Sequence, residues 1–310
     1  FGPNAFLSKE ADTFAAGSPP RLTPVTLESL ESGLLNGTLV LNDAAAAFPQ
    51  LFEYVQAALR VLKMPVSINV YVTHSLLSRS APLHTDRQDV LVVQCEGSKH
   101  WRVHRPLHNF PMEHQERGKS GDVITVEEAG PPLLEATLTP GQMLYVPRGF
   151  VHVTSRSLSS VEGVESASPS TSLTIGLQTE SMGFTYDKLL LCGLLLHGHN
   201  PTLEEQRSLT GSHEVLRRPL PMAGTFMDKD SRDAYLERPA DELLALWPLL
   251  QPGTAAPPRR LMLKAGRIIA EGHLETIHYY EDHMFNASLP RKLRQLVWQR
   301  QYEGLVYRML

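Results

Sequence analysis

Between His84 and Trp101 the chain reads HTDRQDVLVVQCEGSKHW, and this run constrains the fold more than any other. Successive side chains on a strand point to opposite faces, so His84 and Asp86 are expected to share one face while Thr85 turns away. Two metal-ligand residue types are thereby aimed at one point. The valine-rich run that follows, Asp89 to Cys95, has the composition of a strand buried inside a sheet or barrel. Gly97 then permits a turn before Lys99 and Trp101.

A third ligand type arrives from a separate part of the chain. Met143 to Val146 reads as a strand leading through Pro147 and Gly149 to His152, in LYVPRGFVH. Two imidazoles and one carboxylate occupy one face of an octahedral ion and leave positions open, the arrangement used by non-haem Fe(II) oxygenases. Taken singly, each piece has a plainer reading. With 13 histidines in the chain, an isolated His-x-Asp is more often a hydrogen-bonded or surface pair than a metal site, and a Pro-Gly turn before a histidine is common.

The order of the pieces is more specific than any one of them. Asn69-x-Tyr71, His84-x-Asp86, a valine-rich strand with Gln94, Glu96-Gly97-x-Lys99-x-Trp101 and Tyr145-x-Pro147-Arg148-Gly149-x-x-His152 together resemble the JmjC-type Fe(II)/2-oxoglutarate oxygenases. Over roughly residues 35–180 the chain most resembles the ribosomal oxygenases, which hydroxylate a histidine or arginine side chain of ribosomal proteins. The resemblance implies a mainly β fold with α: a double-stranded β-helix barrel of the cupin or jelly-roll type, with N-terminal helices, over residues 1–185. A helical dimerisation module at 186–251 and a linker with a small winged-helix-like segment at 252–310 would follow.

By the same resemblance His84, Asp86 and His152 hold Fe(II), and Lys99, Asn69 and Thr174 hold the cosubstrate 2-oxoglutarate, with O2 as the second cosubstrate. Lys99 also has a physical rationale, because a dicarboxylate chelating iron through one end needs a cation deep in the barrel for the other. The plainer readings are a solvated lysine after a turn and, for Asn69, a buried asparagine satisfying backbone groups. Where the relatives usually carry a histidine this chain has Ser172, which leaves the substrate side chain open. The implied partners are a protein substrate, ribosomal by preference, and a second copy in a homodimer. Two rivals stand beside this: another JmjC activity, such as lysine demethylation or hydroxylation of a non-ribosomal substrate, and a catalytically silent cupin scaffold.

Elsewhere the patterns predict helices over 48–62, 187–197, 203–208, 215–217 and 231–250, and an alternating strand over 66–72. Residues 1–24 read as a lead-in strap or loop, 105–130 as an irregular surface excursion with solvated histidines, and the Ser-rich stretch after His152 as a loop. PGTAAPPRR (252–260) reads as a boundary linker, and 260–269 and 276–284 as strands or short helices. A net charge of −4 argues against nucleic acid as the main partner through the overall field. With only Cys95 and Cys192, neither a disulfide framework nor a cysteine zinc site is expected, and a reducing compartment, nucleus, nucleolus or cytoplasm, follows. No apolar run approaches the ~18–20 residues of a membrane helix, so no membrane partner is expected.

Overall fold

The computed structural model describes residues 5–9, 34–35, 37–42, 44–46, 48–64, 66–74, 77, 79–119, 122–155, 169–177, 185–220, 228–251 and 253–284. In chain order its strands are β1 (Ala5–Lys9), β2 (Gly37–Leu41), β3 (Val66–Thr73), β4 (Arg79–His84), β5 (Asp89–Glu96), β6 (Lys99–Pro106), β7 (Pro132–Leu138), β8 (Met143–Val146), β9 (Phe150–Ser155) and β10 (Ser170–Leu177). They form a six-stranded sheet in the order β1-β2-β3-β10-β5-β8 and a four-stranded sheet in the order β4-β9-β6-β7. All the strand pairs are antiparallel. A mainly β architecture with helices is thus what the resemblance implied.

The valine-rich run earns its composition from alternation. Val90 and Val92 of β5 face Trp101 and Val103 of β6, and with Leu138, Leu144 and Val146 they form one buried cluster joining the two sheets. At ~1.5–3 kcal/mol per fully buried large apolar side chain, this cluster is a main adhesive of the barrel. Cys95 lies in β5 as expected, but on its outer side, where the thiol is exposed. Residues 1–24, read as a strap or loop, contain a strand, because β1 pairs with β2 from Ala5↔Leu41 to Lys9↔Gly37.

The excursion after β6 departs from the sequence reading more seriously. His108 and His114 are exposed as expected, but the segment between them and β7 is held down. Ile124 and Ala129 are buried with Val151 on the outer face of β9. The short helix α2 (Val126–Ala129) that carries Ala129 begins at a Thr125 capping box with Glu128. A guanidinium also clamps the loop: buried Arg148 donates to the carbonyls of Phe110 (3.2 Å) and Pro111 (2.8 Å). Beside it Gly149 has φ +86°, and a Cβ there would lie 2.5 Å from the His108 carbonyl oxygen. Arg148-Gly149 of the motif therefore fastens the excursion to the barrel.

The chain divides into two compact units, residues 1–55 with 66–177, and residues 56–65 with 178–310; the division passes through helix α1 (Pro49–Leu62). The second unit is helical. It comprises α3 (Tyr186–Leu196), α4 (Leu203–Ser212), α5 (Glu214–Arg217), α6 (Lys229–Leu250) and α7 (Arg259–Met284). Leu189, Leu190 and Leu194 of α3 are buried against Leu243 and Trp247 of α6 and Met262, Ala265 and Ile269 of α7. Residues 260–269 and 276–284, read as strands or short helices, belong to one 26-residue helix, Arg259–Met284. Its inward positions, Met262, Ala265, Ile269, His273 and Ile277, recur at three and four residues.

Residues 253–258, in the stretch read as a boundary linker, are consequently the turn between packed helices. Trp247 Nε1 donates to the Thr254 carbonyl at 3.1 Å, and Arg259 pairs with Asp241 at 2.6 Å and Glu237 at 3.1 Å. Residues 285–310, where the rest of a winged-helix-like segment is expected, lie outside the described residues, as do residues 156–168 of the Ser-rich loop and all but the last two residues of 26–35, whose pattern suggests a short helix. Among the described residues no helix is long and apolar enough to cross a membrane. Leu243 is fully buried at the centre of the helical core. Leu243→Ala is expected to lower stability by about 2–5 kcal/mol, measured by chemical denaturation; a loss under ~1 kcal/mol would show that this core is not packed as described.

Candidate functional site

His84 closes β4 and is the direct cross-strand partner of His152, the third residue of β9. Their ring centroids are 4.1 Å apart. Between Ala81 and His84 strand β4 advances three residues where β9 advances two, a bulge that re-aims the histidine. Pro82, which has no N–H to give to the ladder, lies within it.

Both imidazoles are fixed in the same way. His84 Nδ1 is 2.8 Å from the Pro82 carbonyl and His152 Nδ1 is 3.0 Å from that of Phe150, in each case two residues back. A carbonyl only accepts, so Nδ1 carries the proton and Nε2 keeps its lone pair for a ligand. Trp101 stacks on the His152 ring with centroids 6.0 Å apart. Burial first, and then the neighbouring His152, lowers the His84 pKa to about 3, so it is neutral at physiological pH.

Asp86 reaches the pair from beyond the strand end rather than from the strand itself. Thr85 is buried and turned away, as the alternation indicated, and it is locked by two bonds: its N–H donates to the Arg117 carbonyl (3.0 Å) and its hydroxyl accepts from the Arg117 N–H (2.9 Å). The Asp86 carbonyl accepts from Gly149 N–H at 2.8 Å. One carboxylate oxygen, Oδ2, then lies 3.4 Å from His152 Nε2. The donor atoms of His84, Asp86 and His152 all fall within 4.8 Å of one another. Two imidazole nitrogens and a carboxylate converging this closely fit a divalent first-row metal such as Fe(II).

The other carboxylate oxygen, Oδ1, pairs with the ammonium of Lys119, which also lies 3.4 Å from Glu116. Burial alone would raise the Asp86 pKa, but the ammonium of Lys119, and after it the neighbouring His152, outweigh it and hold the group well below the usual carboxylate range. Burial likewise works against the charge on Lys119, yet Asp86 and Glu116 raise its pKa above the ordinary value. Neither Lys119 nor Glu116 was singled out in the sequence, because both fall in the excursion read as a surface loop. Nothing in RGKSGD (117–122) announces that its lysine meets an aspartate 33 positions earlier.

The expected cosubstrate residues line the same interior. Lys99 opens β6, is buried, and reaches only hydroxyls: Thr73 Oγ1 at 3.3 Å and Ser172 Oγ at 3.5 Å, with the Tyr71 ring 5.9 Å away. No carboxylate among the described residues pairs with it, and burial lowers its pKa to about 8. Alternation on β3 puts Asn69, Tyr71 and Thr73 on one face, and register sets Asn69 opposite Thr174 and Tyr71 opposite Ser172. Asn69 and Thr174 thus share the Lys99 face, one and two pairs along from the hydroxyls that Lys99 touches. Ser172, noted in the sequence as a departure, is one of those two hydroxyls. An orphaned ammonium among hydroxyls fits the far carboxylate of a dicarboxylate.

Two tests follow. Between the folded pKa of Lys99, about 8, and the ordinary lysine value of ~10.4 the unfolded chain binds more protons, so stability rises with pH through that window. The unaltered protein should gain on Lys99→Met from pH 8 to 10 in urea denaturation; parallel pH curves would mean that Lys99 already has an anionic partner. At Gly118, φ is +78°, and a Cβ would sit 2.2 Å from the Leu83 carbonyl oxygen and 2.8 Å from His84 Cα. Gly118→Ala should cost about 1–3 kcal/mol, and a neutral result would show that the turn does not rest on the ligand strand.

Residues 47–181 match the family model of the JmjC domain. The bifunctional lysine-specific demethylase and histidyl-hydroxylase NO66 of Drosophila persimilis is 38% identical over 87 residues, 28% of this chain and 12% of that one. Ribosomal oxygenase 1 of Rattus norvegicus is 35% identical over 134 residues, 43% of this chain and 21% of the relative. The matched stretch thus spans about a fifth or less of these curated relatives. Among solved structures, YcfD, a ribosomal oxygenase from Escherichia coli in complex with cobalt and 2-oxoglutarate, aligns with TM-score 0.32 and 14% identity over 81% of this chain and 51% of its own. The match to the JmjC family model covers the strands of His84, His152 and Lys99.

Proposed function

We propose that the protein is an Fe(II)- and 2-oxoglutarate-dependent dioxygenase that hydroxylates a protein side chain, with a histidine or arginine of a ribosomal protein as the first candidate. The observation that carries this reading is the coincidence, in one barrel, of a three-donor cluster and a buried ammonium lacking a carboxylate partner among the described residues. The JmjC model and the names of the relatives, which include histidyl-hydroxylase and ribosomal oxygenase, support the reaction class and the choice of substrate.

In this reading His84 and His152 present Nε2 and Asp86 presents Oδ2, while the Pro82 and Phe150 carbonyls keep the rings from turning. Lys99 takes the far carboxylate of the cosubstrate, and Thr73 and Ser172 hold its ammonium in place. Asn69 and Thr174, paired across β3 and β10, line the same face and orient the cosubstrate. The apolar cluster around Trp101 and Val92 keeps water from the barrel interior. When bound, iron and 2-oxoglutarate supply the oxidation itself, consuming O2, releasing succinate and CO2, and leaving one oxygen atom for a substrate C–H bond. The two cysteines carry the proposal of an intracellular protein, and the family resemblance that of a homodimer formed through residues 186–251.

Succinate formation from 2-oxoglutarate, followed by NMR with Fe(II) and ascorbate, tests the reading. Turnover should vanish in His84→Ala, and a ribosomal-protein peptide should raise it and gain 16 Da, the mass of one oxygen. Stimulation by methyl-lysine peptides instead would assign the demethylase activity that the NO66 name also contains. Turnover no higher than that of His84→Ala, with iron bound, would leave a binding scaffold.

A further inference from the structure

The two carboxylate oxygens of Asp86 face different groups. Its Oδ2 faces His152 Nε2 at 3.4 Å, whereas its Oδ1 pairs with the ammonium of Lys119, a residue of the chain's own excursion. Lys119 is not a wandering surface side chain. The turn that carries it is pinned by the two hydrogen bonds between Thr85 and Arg117, by Gly118 N–H donating to Asp122 Oδ1 at 2.9 Å, and by the Arg117–Asp122 ion pair. Gly118 rests on the backbone of Leu83 and His84 so closely that no side chain fits. Glu116, whose carboxylate also accepts from Arg87 N–H at 3.0 Å, faces the ammonium from the other side.

We propose that Lys119 is a built-in counter-cation of the metal site. It neutralises Asp86 when the site holds no metal, and it competes with the metal for that carboxylate when the ion arrives. The inference rests on the reading of His84, Asp86 and His152 as metal ligands.

Charge decides the sign of each effect. A half-buried carboxylate needs a positive partner to be tolerated in the fold, and breaking such a pair leaves an uncompensated charge. A divalent ion on Oδ2 lies within a few ångströms of the ammonium on Oδ1, and like charges at that range repel strongly even at the higher effective dielectric of a partly wet site. The Lys119 side chain is 33% exposed, so it has a way out toward solvent, away from the ion, with Glu116 as an alternative partner. Removing its charge should therefore destabilise the metal-stripped protein and tighten metal binding. A lysine that merely oriented Asp86 would give loss on both counts.

Mn(II), whose free form is read directly by EPR, serves as the probe. The full chain is stripped with EDTA and titrated alongside Lys119→Met, Lys119→Gln and Lys119→Arg, and the thermal midpoint of each stripped protein is recorded. Lys119→Met or Lys119→Gln should bind Mn(II) on the order of tenfold tighter and melt lower when stripped, while Lys119→Arg, which keeps the charge, stays near the unaltered protein. Unchanged or weaker Mn(II) binding by both neutral variants, with their folds intact by circular dichroism, overturns the competition. If the unaltered protein binds Mn(II) no better than His84→Ala, the metal-site reading itself falls, and that outcome is distinct from a failure of Lys119 alone.

Discussion

The site depends on one cross-strand pair. His84 and His152 sit opposite each other on adjacent antiparallel strands, and each ties its Nδ1 to a carbonyl two residues behind it. Directly opposed residues point to the same side of a sheet, so the pairing brings two Nε2 atoms together without any loop having to close. The bulge at Pro82 and Leu83 sets the angle, and everything else in the centre is arranged around that fixed edge. Asp86 only has to be delivered to it, which the Thr85–Arg117 bridge and the Gly149 N–H accomplish.

Two lysines show how differently the interior treats a positive charge. Lys99 is surrounded by hydroxyls and an aromatic ring, and burial draws its pKa down to about 8. Lys119 has two carboxylates, and its pKa moves up despite burial. Moving an ammonium out of water costs several kcal/mol, and that cost is offset at Lys119 but stands at Lys99. Among the described residues no carboxylate offsets that cost at Lys99.

The excursion after β6 links these features. Arg148 and Gly149, part of the motif that ends at His152, hold its first half against the barrel, while Ile124 and Ala129 anchor its second half on the outside of β9. Between those anchors the turn at 116–119 is left facing the ligands. A segment with little hydrophobic periodicity can be placed this firmly because its bonds go to backbone carbonyls and to a glycine-sized gap, neither of which leaves a trace in local composition.

Sequence alone determined the strand alternation of β5, the identity of the three donors, the buried lysine and the helical character of 186–250, because each rests on a short-range period or on a motif of fixed order. The bounds of β8, read as Met143 to Val146, need no correction. It did not determine that residues 5–9 form a strand, that 259–284 is one helix packed on the others, or that Lys119 meets Asp86. Those outcomes belong to the tertiary structure. A strand exists only when a distant edge pairs with it, a helix carrying His273 at a buried position is settled by the core that receives it, and an ion pair across 33 residues forms only when a loop is folded back over the site.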